Sequence, residues 1–486
     1  MSRKLFKEAT SIIVIALIWT VCLFGNTHSM LAAGISGKAL FWTQAVFTET
    51  ATQRIIFFCV GFYTFAFLAF QTRLKKTRFG DSTNPNLLLL IVLIIGVLVY
   101  ALNYTSSALH EDALVWLAGV MLGQAAAMCE ALDQRRDTLS FRIIVVLILL
   151  LSIASLWNVD NGQVRYLGKT RWSGTWHDPN IFGLLMGVGM ALAIGLGLQS
   201  LRQKVPVHGA EIRIWKPSLW RRRVVILCFV VATLMGYGLL RSYSRGAWIA
   251  TFFGLTYVIG YAVWCLASER PVISFISWFN KNRFSLSAIL ISATILAFWS
   301  FRQTEWRLAH RLFSVSNQND FSWRYRLSAW TGALQIVAEH PWFGVGWNQP
   351  EPMYTQYYRL SGVAEGAAIQ VNDCLLLGDT LGIPALFCLA MYVWLHLTRS
   401  SKRPISNAAE DQNTEPSGNR NSVLRADWIQ AASRASAIVL LIGFWFDGGL
   451  FKLGTAATFW ILLELGYTDP VQQKITKEVK ADMIVV

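Results

Sequence analysis

The chain has 486 residues, 54% of them hydrophobic and only 15% charged, with 21 Trp and 29 Phe. Soluble domains carry about 25% charged residues, and disordered chains combine low hydrophobicity with high charge, so neither class fits. The net charge of +15 sits in short clusters between long apolar runs, which points to a multi-span membrane protein rather than a nucleic-acid binder.

A membrane span needs roughly 20 mostly apolar residues. Twelve candidates follow in chain order: 9–25, 53–71, 86–103, 113–131, 142–158, 180–200, 223–240, 246–267, 284–302, 374–397, 433–447 and 453–468. The first lacks a small-residue cleavage exit and reads as an uncleaved span. The last two are short and share a turn at Asp447-Gly448-Gly449, so they read as one helical hairpin. Such runs are helices, because backbone in hydrocarbon must satisfy its own hydrogen bonds.

Alternate connections carry most of the Lys and Arg. They are the Arg3/Lys4/Lys7 terminus, Arg73 to Arg78, Arg135/Arg136, Arg202 to Arg223, Lys281/Arg283, Arg399 to Arg403 and the tail with Lys474, Lys477 and Lys480. By the positive-inside rule both termini are cytoplasmic, and the number of spans is even. The expected fold is an all-α integral membrane protein. It has about twelve transmembrane helices and a large, partly helical periplasmic loop, 302–373, between spans nine and ten. The expected organisation is an N-terminal bundle 1–158, a core 159–398, a cytoplasmic linker 399–432 and a C-terminal hairpin with its tail, 433–486. Seven scattered cysteines, without CxxC spacing, read as small buried hydrophobes rather than a disulfide framework.

The face that should be poor in cations is not. The connection 158–179 holds Arg165, Lys169 and Arg171, and the short RSYSRGAW turn holds Arg241 and Arg245. The long segment holds Arg302, Arg307, Arg311, Arg324, Arg326 and Arg359. An exposed arginine alone is unremarkable. As a set they ask for a counter-charge, and the planar guanidinium fork suits phosphate and carboxylate oxygens.

The long segment is also polarised. Arg302 to Arg326 has five basic and two acidic residues, whereas Glu339 to Asp373 has one basic and four acidic. One half can hold an anion, and the other can supply a carboxylate base. Glycosyl transfer from a phosphate-linked donor needs both, a cation for the departing pyrophosphate and a base for the attacking hydroxyl. Ser328 to Glu339 has helical apolar spacing, ending at His340-Pro341. Aromatics follow, among them Phe343, Trp347, Tyr354, Tyr357 and Tyr358. They suit either sugar stacking or interfacial anchoring.

Three local patterns resemble the O-antigen ligase/polymerase superfamily of bacterial membrane glycosyltransferases. Ser244-Arg245-Gly246-Ala247-Trp248 resembles its SRGxW. Arg326-Leu-Ser-Ala-Trp330 followed by His340-Pro341-Trp-Phe-Gly344-Val-Gly346 resembles its RxxxW…hPxxGxG run. Leu381-Gly382-Ile383-Pro384 resembles the pattern that opens its next span. The resemblance implies a metal-independent transferase acting on glycans carried by undecaprenyl pyrophosphate, on the periplasmic side of the inner membrane. The acceptor would be a glycan or lipid A-core. It also implies that Arg245 and Arg326 bind the pyrophosphate, with Arg241, Arg324, Arg165 and Arg171 in support from charge and placement. The family's ligase histidine falls on Val371, followed by Asn372. Valine accepts no proton, so Glu365 and Asp373 are the substitute bases.

His177, in WHDPN, and His340 border the same expected cavity. Their ordinary roles are near an N-cap at Asp178 and at a helix end. No P-loop or GxGxxG cradle appears, and the histidines make no zinc constellation, so no cofactor or metal is expected. Two competing readings remain. A transporter or flippase of lipid-linked sugars would place ionisable groups near the bilayer midplane, but the mid-span interiors are nearly free of charge; Asp379, Asp447, Lys452 and Glu464 stand out, the first three toward the outer ends. A non-catalytic relative would explain the missing histidine.

Overall fold

The computed structural model describes residues 136–156, 165–166, 168–176, 178–202, 219–269, 321–347, 349–359, 372–398 and 419–467, with isolated helical positions between 92 and 126. These residues are almost wholly helical. Helix α1 (Arg136–Leu156) is followed by a two-stranded antiparallel hairpin, β1 (Arg165–Tyr166) and β2 (Lys169–Thr170), and by a 3-10 turn at Gly174–Trp176. Then come α2 (Pro179–Arg202), α3 (Leu219–Ser242), α4 (Arg245–Glu269), α5 (Phe321–Glu339), the short α6 (Pro350–Met353) with a π turn at Tyr354–Tyr358, α7 (Asp373–Thr398), α8 (Asn419–Phe446) and α9 (Leu453–Gly466).

Five of these helices contain segments long and apolar enough to cross a membrane: Pro179–Ser200, Arg223–Ser242, Arg245–Trp264, Asp373–Thr398 and Trp428–Phe446. Ile143–Ser152 and Gly454–Gly466 are shorter apolar helices. They coincide with seven of the runs read from sequence. The runs 9–25, 53–71 and 284–302 lie outside the described residues, as does most of 86–103. One boundary differs. Helix α8 begins at Asn419, inside the stretch that reads as linker. Its polar composition resembles a loop, but Leu424, Arg425 and Ala426 favour helix. Residues 399–418 lie outside the described residues.

Helices α2 and α8 form the centre. α2 packs on α3, α4 and α8, and α8 also packs on α4 and α9. The buried α8 face is built from Ala432, Ser433, Ala435, Ser436 and Ala437. Small side chains let apolar helices approach closely when no water is expelled to drive association. Ser436 Oγ donates to its own helix at Ala432 O (2.9 Å) and lies 3.4 Å from Val188 O on α2.

Helix α7 is broken nine residues from its start, at Gly382, whose φ is 84°. The LGIP pattern therefore lies inside a span rather than at its opening. Pro384 has no N–H, so Thr380 O loses its helical donor. Ile383 N turns instead to Pro341 O (2.8 Å), which frees Asp379 O as well. The turn after α5 supplies both missing donors: Val345 N to Asp379 O (2.7 Å) and Gly346 N to Thr380 O (3.1 Å). A Cβ on Gly344 would lie 2.3 Å from Asp379 O, and one on Gly382 would lie 2.4 Å from Trp342 O. The HPWFGVG and LGIP patterns are thus the two halves of one backbone crossing.

Candidate functional site

The site is built around the turn between α3 and α4. Tyr243 adopts a left-handed conformation (φ 52°) that ends α3, and its ring is buried. Ser244 then caps α4: its Oγ accepts from Ala247 N at 3.2 Å, the usual N-cap geometry. The same Oγ donates to Asp447 Oδ2 at 2.8 Å. Gly246 makes this approach possible, since a Cβ there would lie 2.2 Å from Asp447 Oδ2. Trp248 Nε1 donates back to Leu239 O at 3.0 Å and ties α4 to the end of α3. The SRGxW pattern is therefore a cap, a close approach and a tie, with Arg245 as the first residue of α4.

Asp447 joins the turn to α5. Arg326 donates from Nη2 to Asp447 Oδ1 at 2.5 Å and from Nε to Phe446 O at 2.8 Å. The Asp447 side chain is 1% exposed and that of Arg326 15%, so the charge-assisted pair is shielded from water. Asp447 thereby fixes two of the three patterns read from sequence against each other, from 121 positions away along the chain.

Two more arginines reach the same turn. Arg171 donates from Nε to Ser242 O (2.8 Å) and from Nη2 to Asn180 Oδ1 (2.8 Å). The Arg241 guanidinium lies 5.1 Å over the Trp172 ring, a cation–π distance. Its Nε is buried without a hydrogen-bond partner among the described residues. Trp172 N in turn donates to Arg241 O at 3.0 Å. Arg171, Arg241, Arg245 and Arg326 thus converge on residues 242–246, through direct contact, adjacency in the chain or the shared Asp447. Arg324 is exposed on α5, one residue beyond Tyr325 from Arg326. Arg165 lies on β1, paired with Thr170.

The surrounding loops are tied to the same place. Asp178 caps α2, with Oδ1 accepting from Asn180 N at 2.8 Å, and Oδ2 accepts from Lys452 Nζ at 2.6 Å. Asn372 caps α7, its Oδ1 accepting from Cys374 N and Leu375 N at 3.1 Å each. Its Nδ2 is buried without a partner among the described residues. The buried Asp373 accepts Leu450 N at Oδ2 (2.6 Å). That bond pins the loop that presents Asp447, a holding role the sequence did not suggest. Glu365, the other carboxylate named as a base, lies outside the described residues, as does His177. His340 is exposed just past the end of α5, and its backbone N donates to Ile336 O at 2.9 Å.

The aromatics after α5 divide. Trp347 and Tyr354 are buried, and Tyr354 Oη lies 3.0 Å from Ser328 Oγ. Phe343 and Tyr357 are exposed. Tyr358 donates to the Glu339 carboxylate, and that bond holds its phenol above the usual range. Of the charges that interrupt the apolar runs, Asp447 and Lys452 are paired here. Glu464 is paired elsewhere, with Tyr392, Gln124 and His396. Asp379 is fully buried with neither carboxylate oxygen hydrogen-bonded among the described residues.

Residues 229–390, from the middle of α3 into α7, match the family model described as O-Antigen ligase. No curated protein matches the chain.

Proposed function

We propose that the chain, whose residues 229–390 match the O-antigen ligase family model, moves a glycan from an undecaprenyl-pyrophosphate carrier to an acceptor hydroxyl. The reaction runs on the periplasmic face of the inner membrane, in cell-surface polysaccharide assembly, as a polysaccharide polymerase or an O-antigen ligase-like transferase. Both termini are cytoplasmic, and the spans number about twelve.

The observation that carries this reading is the convergence of Arg171, Arg241, Arg245 and Arg326 on one turn, where Asp447 holds Arg326 against Ser244. The arrangement gathers positive charge at a place where several donors are fixed by their own packing. Preorganised donors of this kind stabilise the charge that develops on a leaving pyrophosphate, at no cost in reorganisation. Arg245 and Arg326 hold the pyrophosphate, and Arg241 offers the unpartnered Nε–H. Arg171 and Arg324 add to the field, with Arg165 behind them. Asp447 holds Arg326 in place and so acts as a positioning residue. The acceptor hydroxyl is oriented or deprotonated by Glu365 or Asp373, the carboxylates near the position where the family's histidine is replaced by Val371.

The test is a gel ladder of surface glycans in a deletion strain complemented with wild type, Arg245→Ala or Arg326→Ala. Wild type restores the ladder, and the two variants insert at normal levels without restoring it. A full ladder from both variants overturns the assignment. Single-repeat bands in the deletion strain identify a polymerase, and lipid-linked polymer that never reaches its acceptor identifies a ligase.

A further inference from the structure

Helix α5 does not sit above the bundle as a surface loop. It runs down the side of α7, and its contacts advance in step along both helices. Ala333 and Ile336 pack with Leu376. Val337 lies beside Gly378, and Pro341 reaches Ile383. At the other end Arg326 is held at Phe446 and Asp447. The tip of this element therefore lies opposite the α7 break, nine residues in from Asp373, or about 13 Å along a helix rising ~1.5 Å per residue. α7 has 26 residues, about 39 Å at that rise, against a hydrocarbon core of about 30 Å. A centred α7 places the tip roughly 9 Å below the hydrocarbon boundary.

We propose that α5 and the turn 340–347 form a re-entrant element dipped into the bilayer leaflet at the site end, with phospholipid acyl chains as the partner of its exposed apolar edge. Three observations converge on this. First, irregular backbone at such depth is tolerated only when its polar groups are satisfied within the protein, and the tip and the α7 break satisfy each other with three backbone hydrogen bonds. Second, the exposed side of α5 is split lengthwise. Leu327 and Leu334 are 44% and 57% exposed and share an edge with Ala338, whereas Arg324, Gln335 and Glu339 line the adjoining edge. That is the pattern of a helix half in lipid and half in water. Third, the apolar edge runs on into the lipid-facing side of a span. Trp342 and Phe343 at the tip are 71% and 53% exposed, and Ile383 and Phe387 on α7 beside them are 48% and 63% exposed.

The proposal does not depend on the transferase reading, only on α7 as a span. It has a consequence for the site, because Arg326 sits on the same rigid helix as the tip. Movement of the tip in the leaflet moves Arg326 against Asp447.

The test is photo-crosslinking in the full-length protein, reconstituted in phosphatidylethanolamine and phosphatidylglycerol vesicles. A benzophenone amino acid is introduced singly at Phe343, Gln335 or Phe387. Phospholipid adducts, read by mass spectrometry, are expected at Phe343 and Phe387 and at least tenfold less at Gln335. Adducts at Phe387 without adducts at Phe343 overturn the proposal while leaving α7 a span. Absence at both overturns the span and the proposal together. Equal adducts at all three overturn the split-face geometry. Where a probe disturbs folding, a spin label at Trp342 gives an independent depth reading. Collisions with oxygen exceeding those with a water-soluble nickel complex support immersion, and the reverse ratio excludes it.

Discussion

Two buried polar clusters sit at opposite ends of the helices and differ in what they leave over. At the end opposite the α3–α4 turn, Glu464 on α9 takes Gln124 Nε2 at 2.9 Å and the Tyr392 hydroxyl, with His396 Nε2 at 3.5 Å. His396 Nδ1 lies 2.8 Å from Tyr392 O, and its ring lies tilted against those of Tyr392 and Tyr467, with centroids 4.0 and 4.4 Å away. Among the described residues this network centres on one carboxylate, whose partners come from α7 and from Gln124. At the α3–α4 turn, four arginines gather about the turn that Asp447 braces, and the Arg241 Nε has no hydrogen-bond partner among the described residues. Burial and polarity are common to both clusters. An unpartnered donor is not: among the described residues only the second cluster has one, at Arg241 Nε, and a satisfied network rigidifies, whereas an unsatisfied donor is left for an anion.

The largest expected effect comes from breaking the centre of the open cluster. Asp447→Ala strands the Arg326 guanidinium in a shielded position, and unpairing a buried ion pair costs about 3–5 kcal/mol. Thermal stability in detergent falls, and ladder formation is lost. The sharper version is the double substitution Arg326→Met with Asp447→Leu. Replacing both charges with apolar groups is often neutral for stability, so the fold recovers while transfer does not. Transfer restored in the double variant would make the pair a strut and not part of the anion site.

A middle effect comes from the closed cluster. Tyr392→Phe removes one donor from Glu464, and a buried acceptor that loses a partner costs about 1–3 kcal/mol. Stability drops, but transfer per folded molecule stays within about twofold of wild type. The measurement pairs a melting curve with ladder intensity normalised to folded protein. A tenfold loss per folded molecule would mean that this end takes part in the reaction and that the contrast between the clusters is wrong.

What was readable in advance follows the range over which the physics acts. The spans near 180–200, 223–240, 246–267 and 374–397 were legible because hydrocarbon imposes long apolar runs regardless of partners. The SRGxW pattern was legible because its cap and its tryptophan tie act within nine residues. The crossing of HPWFGVG with LGIP was half legible. Both patterns stood out, but glycine and proline announce a break without naming what repairs it. The Arg326–Asp447 pair was illegible, since nothing local in Asp447-Gly448-Gly449 distinguishes a turn aspartate from an ion-pair partner. The contact that Asp373 makes beyond its expected role as a base is illegible for the same reason. A carboxylate in a sequence shows its charge, not the Leu450 N–H it accepts. Helix α8 was read too short because its first turns are polar, and hydropathy is blind to helix that extends out of an apolar run.

The smallest change addresses how the turn itself is held. Ser244 has two tasks, capping α4 through Ala247 N and donating to Asp447 Oδ2. Ser244→Ala removes both and costs about 1 kcal/mol for the cap. Ser244→Asp keeps a capping oxygen but places a second carboxylate against Asp447. If the turn's role is only structural, the aspartate variant melts like wild type and transfers normally. If the positive charge gathered at the turn matters, the aspartate variant keeps most of its stability and still loses more transfer than the alanine variant, because the added negative charge cancels part of the field that Arg241, Arg245 and Arg326 present. Comparing the two variants, by melting temperature and by ladder intensity per folded molecule, separates the geometry of the turn from its charge.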